Sequence, residues 1–537
     1  MSNVMREKGQ QAQLCYEDLK EKIGVNPQIP VVFHVDTNQE KLMKRACFIN
    51  NPFPGVLKAV LLSLRLKAVK KLFLPEKVLQ TGPAAAILAM DEVLTKEFKD
   101  LRNGTKTTDP VICDVGFSGL QVIRLYMSAY KKNKDFVQSR YQSAIRVDNA
   151  LNGSFYKYET KDGRSFSAHV YYESQKKKMM DVLKIDKDPD KFVFGSLPSD
   201  KKLTAKAVKQ WNAKELEEAT FENGACGCML RTRKEWEDME VGKAVCDMPL
   251  YRFNKVSESP KKDFGASDEK KGPLSGIKVL DLTHIIAGPA CTRLLAEQGA
   301  DVLMIRRGDF LHQEQAMLEL DGWAGKNSIQ LDFNDAAQLA RAKELVKEAD
   351  VVICSYQNGS LDKFGMDEEG IRKINPSVIF GSLVCFSDTV WRTRPGWAPC
   401  AEDITGLSVR NGSIEQPVNL NGVPLDYIPG MILYSGIIKA LMQQAKEGGG
   451  YSVYGSLTRG GYWLHECTDL WEQKKETTLT SALEFDREIP LWKEVYHVVE
   501  DTAVGDVYFP APATYSKDMG EKFKNMHFTD GNTGFRG

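Results

Sequence analysis

The sequence lacks the features that mark membrane proteins, secreted proteins and proteins that bind nucleic acid. Its apolar runs are far shorter than the roughly 18 residues of a membrane span, and its start, MSNVMREKGQQAQLCYEDLKEK, has early acidic residues and no apolar signal core. Lys plus Arg and Asp plus Glu both total 72, so no net charge attracts nucleic acid or an anionic membrane. These absences predict a cytoplasmic protein, with a mitochondrial or peroxisomal location left open.

The eleven cysteines are scattered and odd in number, which is typical of a reducing compartment. No two CxxC motifs stand at the spacing of a zinc site. The pair in CGC, Cys226 and Cys228, is therefore interpreted as packing thiols. The sequence predicts no metal site.

Two common catalytic signatures are also missing. The turn HIIAGPACTRLL follows a predicted strand but lacks the G-x-G-x-x-G spacing of a dinucleotide fingerprint. No Gly-x-Ser-x-Gly elbow occurs, and no histidine stands at the spacing of a triad. His284 is interpreted as a core or loop histidine. Arg306 and Arg307, at the end of a strand, fit either a ligand anchor or a solvated surface.

At 537 residues the chain is long enough for two or more domains. The stretch 256–276 is rich in Ser, Lys, Asp, Gly and Pro and predicts a linker, with a domain boundary near residue 270. Beyond it, helical patterns alternate with short apolar runs, which indicates a doubly wound parallel α/β sheet. The predicted strands are 277–285, 301–306, 327–333, 350–356 and 378–386.

The first half has a less regular, α+β pattern. A helix is predicted over 84–101, and the alternating segment 154–172 is centred on KDG, a hairpin signal. Another helix is expected to end near Asn223 and Gly224, and the next to begin near Thr232.

Asp426 is the single acidic residue of the stretch 421–444, and a Pro, a Gly and an apolar helical run follow it. This pattern fits a helix N-cap, and it equally fits a nucleophile, because a carboxylate can attack a thioester carbonyl. Glu402 and Asp403 are adjacent, and neighbouring residues on a helix point in different directions. They are interpreted as helix-start residues.

Six segments together resemble the family III CoA-transferases in sequence and order. They are GPLSGIKVLDLTHIIAGPACTRLLAEQGADVLMIRR, KNSIQLDF, ADVVICSYQNGSLDKFG, INPSVIFGSLVCF, RPGW with the following ITGL, and LDYIPGMILYSGIIKAL. The resemblance covers roughly residues 273–470. It implies a Rossmann-like domain, coenzyme A or acyl-CoA as a cosubstrate, a small carboxylic acid as acceptor, and no permanently bound cofactor or metal.

The resemblance also implies the site residues. Asp426 occupies the place of the family's catalytic aspartate. The positions matching the family's CoA contacts are Ile285, Arg307, Leu331, Ser355, Tyr356 and Lys363.

Some positions depart from the family pattern. Ser355 stands for the usual Asn, Asn358 for Pro and Lys363 for a common Arg. Ile286 stands where the formyl-CoA enzymes have Gln. This difference argues against oxalate and formate as the substrate pair. Trp397 replaces the catalytic His of the racemases. CoA transfer is therefore the predicted activity, and the alternatives are α-carbon racemisation of an acyl-CoA and a CoA-binding scaffold without activity.

The first half resembles the same family faintly, with LQTGPAAAILAMDEVL similar to the helix after the nucleophile but without its aspartate. The chain is therefore expected to be a fused form that pairs internally as a pseudo-dimer or forms a homodimer. The predicted divisions are 1–140, a degenerate partial copy; 141–255, a small α+β domain; 256–273, a linker; 274–470, the large Rossmann-like domain; and 471–537, a C-terminal extension.

Overall fold

The computed structural model describes most of the chain, and the descriptions below refer to those residues. They are 2–35, 43–44, 55–127, 129–132, 156–170, 173–192, 194, 198–306, 321–478, 496–502, 505–515 and 535.

The described helices and strands are numbered in chain order. The helices are α1 Ser2–Ile23, α2 Gly55–Leu72, α3 Thr81–Asn103, α4 Val115–Val122, α5 Arg124–Met127, α6 Glu173–Leu183, α7 Pro198–Val208, α8 Ala213–Glu222, α9 Arg233–Asp238, α10 Glu240–Cys246, α11 Ala287–Glu297, α12 Ala336–Glu348, α13 Glu368–Ile374, α14 Ala398–Ile404, α15 Leu407–Asn411, α16 Pro424–Glu447 and α17 Leu457–Thr478. The strands are β1 Val31–His34, β2 Val111–Asp114, β3 Ala129–Lys132, β4 Lys157–Glu159, β5 Ser165–Ala168, β6 Gly227–Met229, β7 Tyr251–Ser257, β8 Lys278–Leu282, β9 Asp301–Arg306, β10 Asn327–Gln330, β11 Val351–Cys354, β12 Ile379–Val384, β13 Gly450–Ser456, β14 Tyr496–Thr502, β15 Gly505–Pro510 and β16 Thr514–Tyr515.

A seven-stranded sheet in the order β10-β9-β8-β11-β12-β13-β7 forms the centre of the C-terminal half. Strands β8 to β13 are parallel and stand in the order 3-2-1-4-5-6, which is the doubly wound Rossmann arrangement. All five predicted strands of this half are present, and the predicted fold class is confirmed. The seventh strand, β7, joins the edge antiparallel to β13.

Both faces of this sheet are covered by helices, as buried parallel strands require. On one face, α11 and α16 pack over Val279, Ile353 and Val453 in the larger hydrophobic core. On the other face, α12 and α13 cover Leu280 and Val352 in a second core. Because the strands are buried on both sides, they appear in the sequence as continuous apolar runs.

Local signals place the elements of the first half where they were predicted. The hairpin of β4 and β5 turns through Gly163, whose φ of 75° favours glycine. Helix α8 ends before Gly224, and α9 follows Thr232, which forms a capping box with Glu235. The long helix predicted over 84–101 is α3.

The two halves share one large core. Helix α3 of the first half packs along α16 of the second, and β7 extends the sheet of the second half. The guanidinium of Arg102 at the end of α3 donates hydrogen bonds of 2.8–2.9 Å to four carbonyls between Phe264 and Ser275, within the predicted linker. The predicted division into domains stays a prediction, and these contacts cross its boundaries.

Within the part of the chain that the structure describes, α16 is long and apolar enough, by length and composition, to cross a membrane. However, 89% of its apolar window is buried inside the fold, as in the core helix of a globular protein. Close packing against α11 depends on Gly430, since a Cβ at that position would lie 2.6 Å from the Ala287 carbonyl oxygen.

Candidate active site

The carboxyl ends of β8 and β11 mark the point at which the strand order of the sheet reverses, and open α/β sheets bind ligands at such a point. Two neighbouring pockets open there and share Tyr356 and Ser360 in their walls. The crevice therefore lies where the topology alone would place a ligand.

The turn between β8 and α11 is held by a buried ion pair. Lys326 Nζ lies 2.8 Å from Asp281 Oδ2, and neither side chain has measurable exposure. Thr283 and Thr292 donate hydrogen bonds of 2.6 and 2.7 Å to the same carboxylate. This network fixes both ends of the turn that forms one side of the crevice.

The same turn contains a backbone outlier. Ile285 has a φ of 67°, in the left-handed region that β-branched residues rarely adopt. Such strained residues cluster at ligand-binding and active sites, because the surrounding structure must hold them in place. Ile285 is half-buried in the turn but is not part of the wall of either pocket.

The first pocket has a volume of about 250 Å³ and a mainly apolar floor. Its walls contain three of the predicted CoA contacts, Leu331, Tyr356 and Lys363. The Lys363 ammonium lies 4.7 Å from the centroid of the Phe364 ring, and Asp332 also lines the pocket. The pocket thus combines a flat apolar surface with one cationic residue.

The second pocket has a volume of about 340 Å³, and its walls contain the predicted contacts Ser355 and Tyr356 together with His284 and Trp397. The His284 ring stacks on Tyr356 at a centroid distance of 4.5 Å. Burial lowers the pKa of His284 to about 4, so its imidazole is neutral at physiological pH. His284 therefore serves as an uncharged wall of the pocket.

Two side chains of the CSYQNG loop hydrogen-bond to another segment that lines the second pocket. Gln357 donates a hydrogen bond to the carbonyl of Thr393, and Asn358 Nδ2 donates one of 3.1 Å to the carbonyl of Arg392. A proline at position 358 would lack this amide donor. Asn358, where the family pattern has Pro, therefore adds a hydrogen bond between two segments of the pocket wall.

Asp426 lies in the first turn of α16, where the helix dipole favours an anion. The helix begins at Pro424 and Val423 precedes it, so the alternative reading of Asp426 as an N-cap is wrong. The side chain is 8% exposed. Burial, with a contribution from the charge of Glu402, raises the pKa of Asp426 to about 8.

Asp426 is near the second pocket although it is not part of its described wall. Its charge acts on Cys385, which lines that pocket and whose thiol pKa is raised mainly by burial. Among the described residues, no hydrogen-bond donor contributes to the pKa of Asp426. The carboxylate is therefore weakly solvated, close to a pocket and not occupied by a structural contact.

The interpretation of Glu402 and Asp403 as helix-start residues is wrong. They are the last acidic residues of α14, which begins at Ala398, and both are buried. Burial raises the pKa of Glu402 to about 7, against the effect of hydrogen bonds from Asn419 Nδ2 and the Leu420 amide. Glu402 and Asp426 thus form a pair of buried carboxylates, which the sequence analysis missed.

Arg306 and Arg307, at the end of the strand predicted over 301–306, were interpreted as either ligand anchors or solvated surface residues. Arg307 lies outside the described residues. Arg306 is buried, and its guanidinium lies 4.9 Å from the centroid of the Trp323 ring, a cation–π geometry. Arg306 is therefore packed into the fold beside the crevice rather than solvated at the surface.

Comparisons with known proteins find similarity to CoA-transferases. A family model described as CoA-transferase family III matches residues 274–502. An acyl-CoA transferase of Gibberella moniliformis (strain M3125 / FGSC 7600) is 29% identical over 359 residues, covering 64% of this chain and 61% of that relative. A formyl-CoA:oxalate CoA-transferase of Escherichia coli O81 (strain ED1a) is 33% identical over 193 residues, covering 34% of this chain and 46% of that relative. A solved CaiB/BaiF family protein from Brucella suis covers 44% of this chain and 65% of its own, with 25% identity and a TM-score of 0.34.

The fold and the crevice define an α/β protein with two pockets at the switch point of a Rossmann-like sheet. Over residues 274–502, less than half of its length, the chain is similar to CoA-transferase family III. It spans 61% and 46% of the lengths of the two curated relatives described above.

Proposed function

We propose that this protein is an acyl-CoA:carboxylate CoA-transferase and that Asp426 is its nucleophile. The observation that carries the proposal is the position of Asp426, a weakly solvated carboxylate at a helix N-terminus beside the crevice. The family match and the acyl-CoA transferase activity named for the relatives support the reaction class.

The proposed reaction runs through covalent intermediates on Asp426. An Asp426 oxygen attacks the thioester carbonyl of the donor, the C–S bond breaks, and CoA leaves as a thiolate. The thiolate then attacks the aspartyl carbonyl of this anhydride, which releases the donor acid and leaves an aspartyl-CoA thioester. The acceptor carboxylate attacks that thioester and displaces the thiolate, and attack of the thiolate on the acceptor acyl carbon forms the new acyl-CoA and restores Asp426.

The two pockets suit the two ends of coenzyme A. The first pocket, with its apolar floor and Lys363, suits the adenine ring and a phosphate of the nucleotide end. Tyr356 and Ser360, shared by both pockets, would line the path of the pantetheine arm. The second pocket would then hold the acyl group near Asp426. Ile286, buried at the N-terminus of α11, stands where the formyl-CoA enzymes have Gln, which supports a substrate pair other than oxalate and formate.

The proposed nucleophile predicts how the rate depends on pH. Only ionised Asp426 can attack, so kcat/KM should rise with pH to a plateau above about 8. Replacing Glu402 by Gln removes a neighbouring negative charge and should lower the pKa of Asp426. We expect the acid limb of the kcat/KM profile of Glu402→Gln to move by about one pH unit to lower pH.

The matched control for this variant is Glu369→Gln, which removes a carboxylate at the surface of α13. Its profile should coincide with that of the unaltered protein. An acid limb that stays in place or moves to higher pH in Glu402→Gln would contradict the coupling of the two carboxylates.

The nucleophile itself is tested by trapping. The protein is incubated with a panel of acyl-CoA esters and hydroxylamine, and the peptide that contains Asp426 is analysed by mass spectrometry. We expect a hydroxamate on Asp426, because hydroxylamine cleaves both the anhydride and the aspartyl-CoA thioester. CoA binding without this adduct and without transfer to any of a broad panel of carboxylic acids would favour the scaffold alternative.

The racemase alternative is tested in the same samples. Racemisation needs an acid and a base on opposite faces of the α-carbon. Exchange of the α-hydrogen of a 2-methylacyl-CoA with D2O, without transfer of CoA, would refute the transferase proposal. The indole of Trp397 in the pocket wall argues against that outcome, since it is neither a base nor a carboxylic acid.

We further propose one active site per chain and an internal pairing of the two halves. Helix α3 packs along α16, and the two helices share a residue spacing at their starts: Leu79, Gln80 and Pro83 are spaced like Leu425, Asp426 and Pro429. Gln80 directly precedes α3, whereas Asp426 lies in the first turn of α16. Gln80 thus takes the place of the nucleophile, and its side-chain oxygen accepts a hydrogen bond from the backbone amide of Asn421. Trapping should yield one adduct per chain.

A further inference from the structure

Sulfur and imidazole ligands that are far apart in the sequence meet at one buried point. His169 directly follows β5, Cys228 lies in the neighbouring β6, and Cys400 lies in α14 of the other half. The ligand atoms of these three side chains all lie within 4.8 Å of one another, and all three residues are fully buried. Cys226 adds a fourth thiol, within hydrogen-bonding reach of the Cys400 thiol.

The spacing fits a thiophilic metal ion. In a tetrahedral site, zinc lies about 2.3 Å from each sulfur and about 2.0–2.1 Å from an imidazole nitrogen, which separates neighbouring ligand atoms by roughly 3.5–3.8 Å. The Cys228 sulfur and the Nε2 atom of His169 are 3.7 Å apart. These two atoms are therefore already at the separation of two ligands of one ion.

Without a metal, the histidine is poorly satisfied. Its Nε2 atom meets only the Cys228 sulfur, and its Nδ1 atom is buried with no hydrogen-bond partner among the described residues. Burying an imidazole in this way costs free energy, and polar groups inside proteins are nearly always paired.

We propose that His169 Nε2, Cys228 Sγ and Cys400 Sγ, with Cys226 Sγ as the fourth ligand, bind one zinc ion. Cys226 donates a hydrogen bond of 3.5 Å to the Pro395 carbonyl and reaches the ion by a change of its side-chain rotamer. Binding releases the protons of the three thiols to solvent as the thiolates form.

Such an ion would connect the two halves of the chain beside the crevice. The segment between Pro395 and Cys400 contains Gly396 and Trp397 of the second pocket, and it leads into α14, which carries Glu402. A bond from Cys400 to a metal held by β5 and β6 would fix this segment. The ion would thus have a structural role, holding the pocket wall rather than touching the substrate.

The test uses the full-length protein. The metal content is measured by plasma mass spectrometry after expression with zinc and dialysis against metal-free buffer. We expect about one zinc per chain, falling below about 0.1 in Cys400→Ser and His169→Gln. The control is Cys113→Ser. Cys113 is a buried thiol in β2 that donates a hydrogen bond to the Ala85 carbonyl and lies within hydrogen-bonding distance of the Ser118 hydroxyl. This variant should keep its zinc.

A second measurement does not depend on the folding of the variants. The unaltered protein is stripped with a chelator and titrated with Co²⁺, which should produce the thiolate-to-cobalt charge-transfer and visible bands of a tetrahedral sulfur site. The melting temperature should fall by several degrees on stripping and recover with zinc. A metal-free protein without cobalt bands would overturn the proposal, and so would a Cys226–Cys400 disulfide found in the native protein. These readouts do not depend on CoA transfer, so they remain valid even when the proposed function fails its own test.

Discussion

We expect Asp426→Asn and Asp426→Ala to abolish CoA transfer, with a fall in turnover of about 10⁴-fold or more, because neither side chain can form the acyl anhydride. Two variants are needed, since an Asn can deamidate back to Asp. Affinity for CoA, measured by calorimetry, should change little, because the described pockets are lined by other residues. Turnover that survives in Asp426→Ala would refute the role of the carboxylate.

Asp426→Asn should also stabilise the folded protein at alkaline pH. The pKa of Asp426 is about 8 in the fold and about 3.9 in an unfolded chain, so the folded protein holds a proton that the unfolded chain releases between these pH values. The free energy of unfolding therefore decreases as pH rises from about 4 to about 8. Asn has no charge to bury, and we expect Asp426→Asn to gain on the order of 3 kcal/mol over the unaltered protein at pH 9 and little at pH 4.

The matched control is Asp91→Asn on α3. Asp91 is also buried, burial raises its pKa well above the usual value, and it lies in α3, away from the two pockets. This variant should show a pH-dependent gain in stability with unchanged transfer. Urea unfolding at pH 4, 6, 8 and 9 measures both variants. A gain for Asp426→Asn that is the same at every pH would show that burial of the charge is not its cause.

The second large effect concerns the buried ion pair below the crevice. Lys326→Met leaves the Asp281 carboxylate in the core with the hydroxyls of Thr283 and Thr292 but without its cation. Removing one partner of a buried pair costs about 3–5 kcal/mol, because the remaining charge is desolvated and uncompensated. We expect a loss of this size in urea unfolding, with weaker CoA binding, since the pair holds the turn that contains Ile285.

A double substitution shows whether the charge itself is responsible. Asp281→Leu combined with Lys326→Met removes both charges and should be less destabilised than the sum of the single variants. The exposed pair of Lys373 and Glu369 on α13 supplies the control, since Lys373→Met should have little effect at the surface. Additive losses in the double variant would indicate that packing, not charge, dominates at this site.

Much of the fold could be read from local signals. The apolar runs around Val279, Val302 and Val352 predicted buried strands, because a strand covered on both faces needs no polar residues. The cap Thr232 marked the start of α9, because its hydroxyl accepts a hydrogen bond from the amide of Glu235, only three residues away. The attachment of β7 to the far edge of the sheet had no such signal, since its partner β13 is almost 200 residues further along the chain.

In the candidate site, too, some residues were identified from the sequence and others only from the tertiary structure. Leu331, Ser355, Tyr356 and Lys363, which the family resemblance implies as CoA contacts, line the pockets, and their contact with CoA stays a prediction. Glu402 was missed, because its effect on Asp426 depends on where α14 crosses α16, and no local pattern encodes that distance.

The sequence by itself determined the alternation of strands and helices in the second half and a carboxylate close to the start of α16. These features follow from burial patterns and backbone geometry over a few residues. Only the tertiary structure decided that Asp426 is desolvated beside Glu402 and that His169, Cys228 and Cys400 meet. Burial, charge interactions and metal geometry depend on distances through space, and the fold sets those distances independently of separation along the chain.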